Sequence, residues 1–406
     1  MAGVEDNYGS ESFEMITDEE VAEVQAALEK GDLTEAASTL KKSLESLENA
    51  QLDIAITGES GSGKSTFVNA IRGMEDEVDG AAKTGVVETT MLATPYQYHN
   101  HSNVTIWDLP GIGTPMFKAD TYLETVNFSR YDFFILIASE RFKENHIQLA
   151  LEIQRMGKKF YFVRSKVDSD LYASQKRRKT TYNEERILKE IRDNCIDCLK
   201  EGGIASPKVF LLSCCELGLY DFQLMQDTLE RELPSHKRHA FLLSLPNISV
   251  AVLQKKKEAL KQQIWKLATI SSAVAVIPIP GLSVVCDVTI LIKAMRGYLR
   301  DFGLDEESLR RLAARVEKPE EELRAVIKSP LVVKEITREI VYKLMSKAAG
   351  ASLMVVEYAL STIPIFGSVA AGGLSFATTY YMLQGFLKEI AEDAERVLTK
   401  ALESTV

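Results

Sequence analysis

Residues 58–65 read Gly-Glu-Ser-Gly-Ser-Gly-Lys-Ser and match the pattern GxxxxGK[ST] at every position. An apolar run, Leu52 to Thr57, leads in, and helical periodicity leads out from Lys64. In that setting glycines let the backbone wrap an anion, and amides at a helix N-terminus point at it. Gly58, Glu59, Ser60, Gly61, Ser62, Gly63, Lys64, Ser65 and Thr66 are therefore expected around the phosphates of a nucleotide. Lys64 would reach the β- and γ-phosphates, and Ser65 would offer its hydroxyl to Mg2+.

Further apolar runs follow at Asn103 to Trp107, Phe133 to Ile137, Phe160 to Val163 and Val209 to Leu212. Helical patterns separate them, at Glu144 to Met156 and Asn183 to Leu199. Short unbroken apolar strands alternating with helices predict a mostly parallel sheet covered on both faces, over residues 51–234. Before it, residues 1–50 read as a helical hairpin. Thr17-Asp18-Glu19-Glu20 is a capping box, Gly31 a stop, and Asp32 the cap of a helix carrying Leu40, Leu44 and Leu47.

After it, residues 235–406 return to helical periodicity alone. Leu267 to Cys286 carries no charge, and Ala348 to Phe386 is nearly as apolar. Each is interrupted by a related phrase, Ile277-Pro278-Ile279-Pro280-Gly281 and Ile363-Pro364-Ile365-Phe366-Gly367, so two helical hairpins with proline–glycine corners are expected rather than membrane spans. A net charge of -10 argues against a duplex-nucleic-acid binder. Five cysteines form no disulfide framework, and Cys195 and Cys198 lack the second pair a zinc site needs.

Three further motifs sharpen the chemistry. Asp108-Leu109-Pro110-Gly111 follows a strand, which places Asp108 to hold magnesium, directly or through water, and the Gly111 amide to sense the γ-phosphate. Ser165-Lys166-Val167-Asp168 closes another strand and approximates (N/T)KxD. An ionised Asp168 accepts from guanine N1–H and N2–H2, donors adenine does not offer there, while the Lys166 stem lies along the base. Ser213 and Cys214 end the last strand, where a backbone amide reads guanine O6. Between the first two motifs, Thr90 and Thr84 are candidates to complete the magnesium shell. Ile112 stands where many such proteins carry a water-orienting Gln, which sends catalysis to Glu88, to a partner, or nowhere.

With Gly80 to Glu88, Ile106 to Gly113, Tyr131 to Phe134, Lys159 to Arg164 and Leu233 to His239, these motifs resemble the interferon-inducible immunity-related GTPases, dynamin-like large GTPases. The resemblance implies an α/β Ras-like P-loop GTPase domain inserted in an all-α domain built from both termini. It implies GTP hydrolysed to GDP with Mg2+, slowly as a monomer and faster on self-assembly through GTPase domains. Lys64, Glu88 and Gly111 would be the catalytic residues, and Ser65, Thr90 and Asp108 the metal ligands. Lys64 puts the chain with the effector branch, whose partners include regulatory members carrying Met there. A cytoplasmic protein in peripheral contact with intracellular membranes is implied, with Ala2 in place of the Gly a myristoyl anchor requires. A non-hydrolytic nucleotide-gated adaptor and a GTP-independent membrane-inserting helical protein are the alternative expectations.

Overall fold

The computed structural model describes residues 22–24, 26, 27, 30, 32–85, 90–112, 122, 126–140, 142–275, 282–333, 336–345 and 373–403. The chain divides into two compact units, 49–248, and 1–48 with 249–406.

Helix α1 (Leu33–Asn49) belongs to the second of these. It starts where Asp32 accepts the Glu35 amide at 2.9 Å, and it buries Ala36, Leu40 and Leu47. Such a cap satisfies an orphan first-turn donor and contributes about 1 kcal/mol.

The other unit is a six-stranded sheet in the order β2-β3-β1-β4-β5-β6. Its strands are β1 (Leu52–Gly58), β2 (Thr94–Tyr98), β3 (His101–Asp108), β4 (Phe133–Ala138), β5 (Lys159–Arg164) and β6 (Val209–Leu211). Every pairing is parallel except β2 with β3. Central β4 is buried at every residue, which is why its sequence is an unbroken apolar run rather than an alternation. Strand β2 has no such run; its Thr-Pro-Tyr-Gln-Tyr sequence alternates, and Pro95 suits only an edge.

Both edges have backbone groups taken by side chains. On β2, Arg72 Nε and Nη2 donate to Gln97 O at 3.1 and 3.0 Å. On β6, the Asp221 carboxylate accepts the Leu211 amide at 2.7 Å, and Arg192 Nη1 donates to Val209 O at 3.3 Å.

The helices of this unit are α2 (Lys64–Ile71), α3 (Glu144–Arg155), α4 (Val167–Arg177), α5 (Glu184–Glu201), α6 (Phe222–Glu232) and α7 (Ser235–Ser244). The expected boundary at Pro234 is corrected by α7. That helix buries Ala240, Phe241 and Leu242 and packs on β3 and β1, so the unit runs on to Ile248.

In the helical unit, α8 (Val250–Ala275) is followed by α9 (Leu282–Asp301), α10 (Glu306–Arg315), α11 (Glu320–Ala325), α12 (Pro330–Val333) and α13 (Gly373–Leu402). Helices α8 and α13 meet through hydroxyls as well as apolar groups. Ser271 Oγ lies 2.9 Å from Thr379 Oγ1 and 3.1 Å from Ser375 Oγ. Lys256 is buried, donates to Asp301 O at 2.8 Å, and has its pKa lowered to about 7 by burial. Both proline–glycine corners, around 278–281 and 364–367, lie outside the described residues. Among the described residues no helix is long and apolar enough to cross a membrane.

Candidate nucleotide and metal site

The loop from β1 to α2 lies at the carboxyl end of the sheet. Gly58 has φ +142°, and a Cβ there would stand 2.0 Å from Ile137 O of the neighbouring strand, so no larger residue fits. Lys64 is buried at the start of α2, and its Nζ donates to Glu59 O at 2.9 Å. Beside this loop the chain after β3 continues the sheet as a parallel bridge between Glu59 and Ile112. Ile112 N donates to Gly58 O at 3.0 Å and Ser60 N to Ile112 O at 3.3 Å. Gly111 comes so near that a Cβ would sit 2.9 Å from Ser60 Cα and N.

Three oxygens converge at one point. Ser65 Oγ donates to Asp108 Oδ2 at 2.6 Å, Thr90 Oγ1 donates to the same oxygen at 2.9 Å, and the two hydroxyls lie 3.4 Å apart. The other carboxylate oxygen, Asp108 Oδ1, is buried with no hydrogen-bond partner. Burial raises the Asp108 pKa, against the hydrogen bonds from Ser65 and Thr90 and the charge of Lys64. An all-oxygen set with an orphaned carboxylate oxygen fits a small hard cation, which would relieve that desolvation. Of the two candidate threonines, Thr90 is the one at this point; Thr84 instead donates to Asp76 Oδ2 at 3.0 Å.

The segment Ser165 to Asp168 is tied to the glycine loop. Ser165 Oγ, buried, donates to Ser62 O at 2.7 Å, and Lys166 Nζ donates to Gly61 O at 2.9 Å. Serine in place of the usual Asn or Thr thus still provides a hydroxyl donor to the glycine loop. Lys166 takes φ +56°, the left-handed turn that begins α4 and carries half-buried Asp168 into its first turn. Cys214, whose thiol burial pushes up to about 12, is close enough to Asp168 and Asp76 to feel both charges. Ser213 is buried, its Oγ accepting the Cys215 amide at 3.3 Å. Thr66 follows Ser65 on α2, half-buried, and Glu88 lies outside the described residues.

Three groups were not legible as site residues: Arg164, Lys143 and Asn69. Arg164, buried at the end of β5, donates to Ser165 O at 2.9 Å and to Ser139 O, and pairs with Asp170 at 2.5 Å. Its signal was a charge closing an apolar strand. Lys143 Nζ donates at 2.8 Å to Glu59, itself expected in the glycine loop, and His146 Nε2 lies 3.8 Å from the same carboxylate; the Lys143 contact spans 84 residues of chain, and no local pattern announces it. Asn69 holds the segment after α2 through Ala82, which its position in a helix also conceals.

Residues 17–401 match the profile described as Interferon-inducible GTPase (IIGP). The chain belongs to that family. Interferon-inducible GTPase 5 of Rattus norvegicus is 47% identical over 389 residues, 96% of this chain and 84% of that one. Interferon-inducible GTPase 1 of Mus musculus is 40% identical over 375 residues, 92% of this chain and 88% of that one. Among solved structures, a GTP-binding protein from the archaeon Sulfolobus solfataricus aligns at 19% identity over 57% of this chain and 68% of that one. At a TM-score of 0.29 that likeness is too slight to rest anything on. For this family member, the sheet described above is that of a P-loop GTPase fold, accompanied by a substantial helical part.

Proposed function

We propose that this chain binds GTP with Mg2+ and hydrolyses it to GDP, slowly alone and faster when copies associate through their GTPase domains. The observation that carries the reading is the convergence of Ser65 and Thr90 on Asp108. Those three residues would hold the metal, which when bound would neutralise charge on the β- and γ-phosphates. Lys64 brings a cation to the glycine loop for charge developing on the β–γ bridging oxygen. The Gly111 amide, next to Ser60, is the donor for a γ-phosphate oxygen. Asp168 selects guanine, held in register by Ser165 and Lys166 on the glycine loop.

A second reading has a specific observation in its favour. Ile112 is fully buried and both its backbone groups are paired to the glycine loop, so the position after Gly111 offers no side chain to orient water. A nucleotide-gated adaptor with negligible turnover would look like this. Glu88, from the loop before Thr90, is the residue we assign to water positioning in the leading reading. Peripheral contact with intracellular membranes, a role in cell-autonomous immunity and pairing with regulatory family members complete the proposal; the similarity to interferon-inducible GTPases supports the immune part.

GTP turnover per molecule, measured as protein concentration rises, tests it. Specific activity that climbs with concentration, and fails to climb in Glu88→Ala while GDP affinity is retained, supports the hydrolase. Flat, near-zero turnover with intact GTP binding sinks it in favour of the adaptor.

A further inference from the structure

Pro110 and Gly111 share one peptide group, and its N–H is the amide assigned above to a γ-phosphate oxygen. The peptides on either side are pinned to β1: Leu109 N donates to Ile56 O and Ile112 N to Gly58 O, both at 3.0 Å. Proline brings no amide, so the Gly111 N–H is the one donor between those anchors. The Pro110–Gly111 peptide can rotate about Pro110 ψ and Gly111 φ while both anchors hold. The proline ring fixes its own φ alone, and glycine accepts either sign of φ.

The carbonyl of that peptide is held by a side chain. Tyr122 Oη donates to Pro110 O at 2.8 Å, and Thr57 Oγ1, fully buried near the end of β1, lies 3.2 Å from the same hydroxyl. With its one proton given to Pro110 O, Tyr122 accepts from Thr57, and two bonds in series strengthen each other. Burial raises the Tyr122 pKa, so the hydroxyl keeps its proton. The ring stands edge-on to Phe128, with centroids 6.2 Å apart. In a trans peptide the C=O and N–H point opposite ways, so holding the one aims the other. Among the described residues no group accepts the Gly111 amide, which leaves it open to a ligand.

We propose that Tyr122 is a positioning residue for triphosphate recognition: by holding the Pro110 carbonyl it keeps the Gly111 amide turned towards the γ-phosphate. It touches neither nucleotide nor metal and acts through a single peptide group. The inference rests on the reading of the Gly111 amide as the γ-phosphate donor. GDP makes no demand on that amide, so the hydroxyl matters to the triphosphate alone. One hydrogen bond weights a peptide orientation about fivefold, and a ligand needing that orientation loses up to that factor with the bond.

The test is the affinity of the full chain for a non-hydrolysable GTP analogue and for GDP, both with Mg2+, in wild type and Tyr122→Phe. The variant keeps the ring and loses the donor. It is expected to weaken the analogue by about two- to fivefold and GDP by less than about 1.5-fold. Equal loss for both nucleotides, the mark of a merely structural tyrosine, overturns the proposal; so does an analogue loss below twofold. Restoring a donor with 4-aminophenylalanine at position 122 should recover the analogue affinity, and failure to recover it counts against the carbonyl contact. A spectroscopic reading separates this inference from the one beneath it. Pro–Gly pairs occur in the sequence at 110–111 and 280–281 alone, so carbon-13 in proline carbonyls with nitrogen-15 in glycine leaves two amide signals, which Pro280→Ala tells apart. A wild-type Gly111 signal that is the same with analogue as with GDP overturns the γ-phosphate reading and the Tyr122 role together. A signal that moves with analogue identically in wild type and Tyr122→Phe overturns the Tyr122 role alone. Should Tyr122→Phe fail to fold, 4-fluorophenylalanine at position 122, which keeps the bulk and lacks the donor, takes its place under the same criteria.

Discussion

Replacing Gly111 by Ala tests how closely its segment and the glycine loop must approach. The added Cβ would stand 2.9 Å from Ser60 Cα, 2.9 Å from Ser60 N and 3.0 Å from Ser60 Cβ. Those are backbone or backbone-proximal atoms, which cannot swing aside as a side-chain tip would. Relaxing to van der Waals separation requires the loops to part by about 0.5 Å or more. The Ser60 N to Ile112 O bond is already 3.3 Å long, so it breaks, at a net cost of about 1 kcal/mol. Overpacking adds about 1 kcal/mol more at the low end of its range. The sum, about 2 kcal/mol, corresponds to about 30-fold in affinity. On the proposed reading, in which the Gly111 amide meets the γ-phosphate, it falls on the triphosphate. Calorimetric titration with a non-hydrolysable GTP analogue and with GDP reads it directly. Gly297→Ala is the control: a Cβ there meets nothing within 4 Å, and mid-helix Ala should raise stability by about 0.5–1 kcal/mol. Analogue affinity within threefold of wild type would refute the reasoning, since the loops would then part at no cost.

Two other expectations follow from the same site. His146 is fully buried, its Nδ1 accepting the Lys143 amide at 3.1 Å, and burial lowers its pKa to about 4 against the pull of Glu59. Because the unfolded imidazole takes a proton near 6.5 and the folded one does not, stability is full above about pH 6.5 and is lost as pH falls towards 4, by up to about 3 kcal/mol. Urea unfolding of wild type and His146→Leu across that window checks this; parallel pH profiles would contradict it. Asp168→Asn exchanges a double acceptor for an amide, so GTP affinity should fall at least tenfold and xanthosine triphosphate, with a carbonyl at C2, should gain. Competition against a fluorescent GDP analogue measures both, and an unchanged GTP-over-XTP preference would remove Asp168 from the base site.

Where the candidate site is built from residues near in sequence, its arrangement was legible. Gly58 to Ser65 needs a strand, a turn and a helix in succession, and all three are local. Asp108 could be assigned because it ends a strand that must lie beside β1 in a parallel sheet. Strand β2 escaped notice because its Pro95 and alternating polar residues carry no apolar run. The boundary at Pro234 misled because α7 is a helix that serves the sheet, and helical periodicity alone does not say what a helix packs on. Arg164, Lys143 and Asn69 became visible only when loops distant in sequence came together.

The ends of the sheet bear on how copies of this chain could meet. A parallel sheet with bare edges invites another strand, and a chain that associates through such a unit risks doing so without limit. Here Arg72 occupies Gln97 O on one margin, and Arg192 with Asp221 occupies Val209 O and the Leu211 amide on the other. Growth by main-chain pairing is blocked at those positions. On the proposed reading, in which copies associate through this unit, their contact is thereby left to side-chain surfaces.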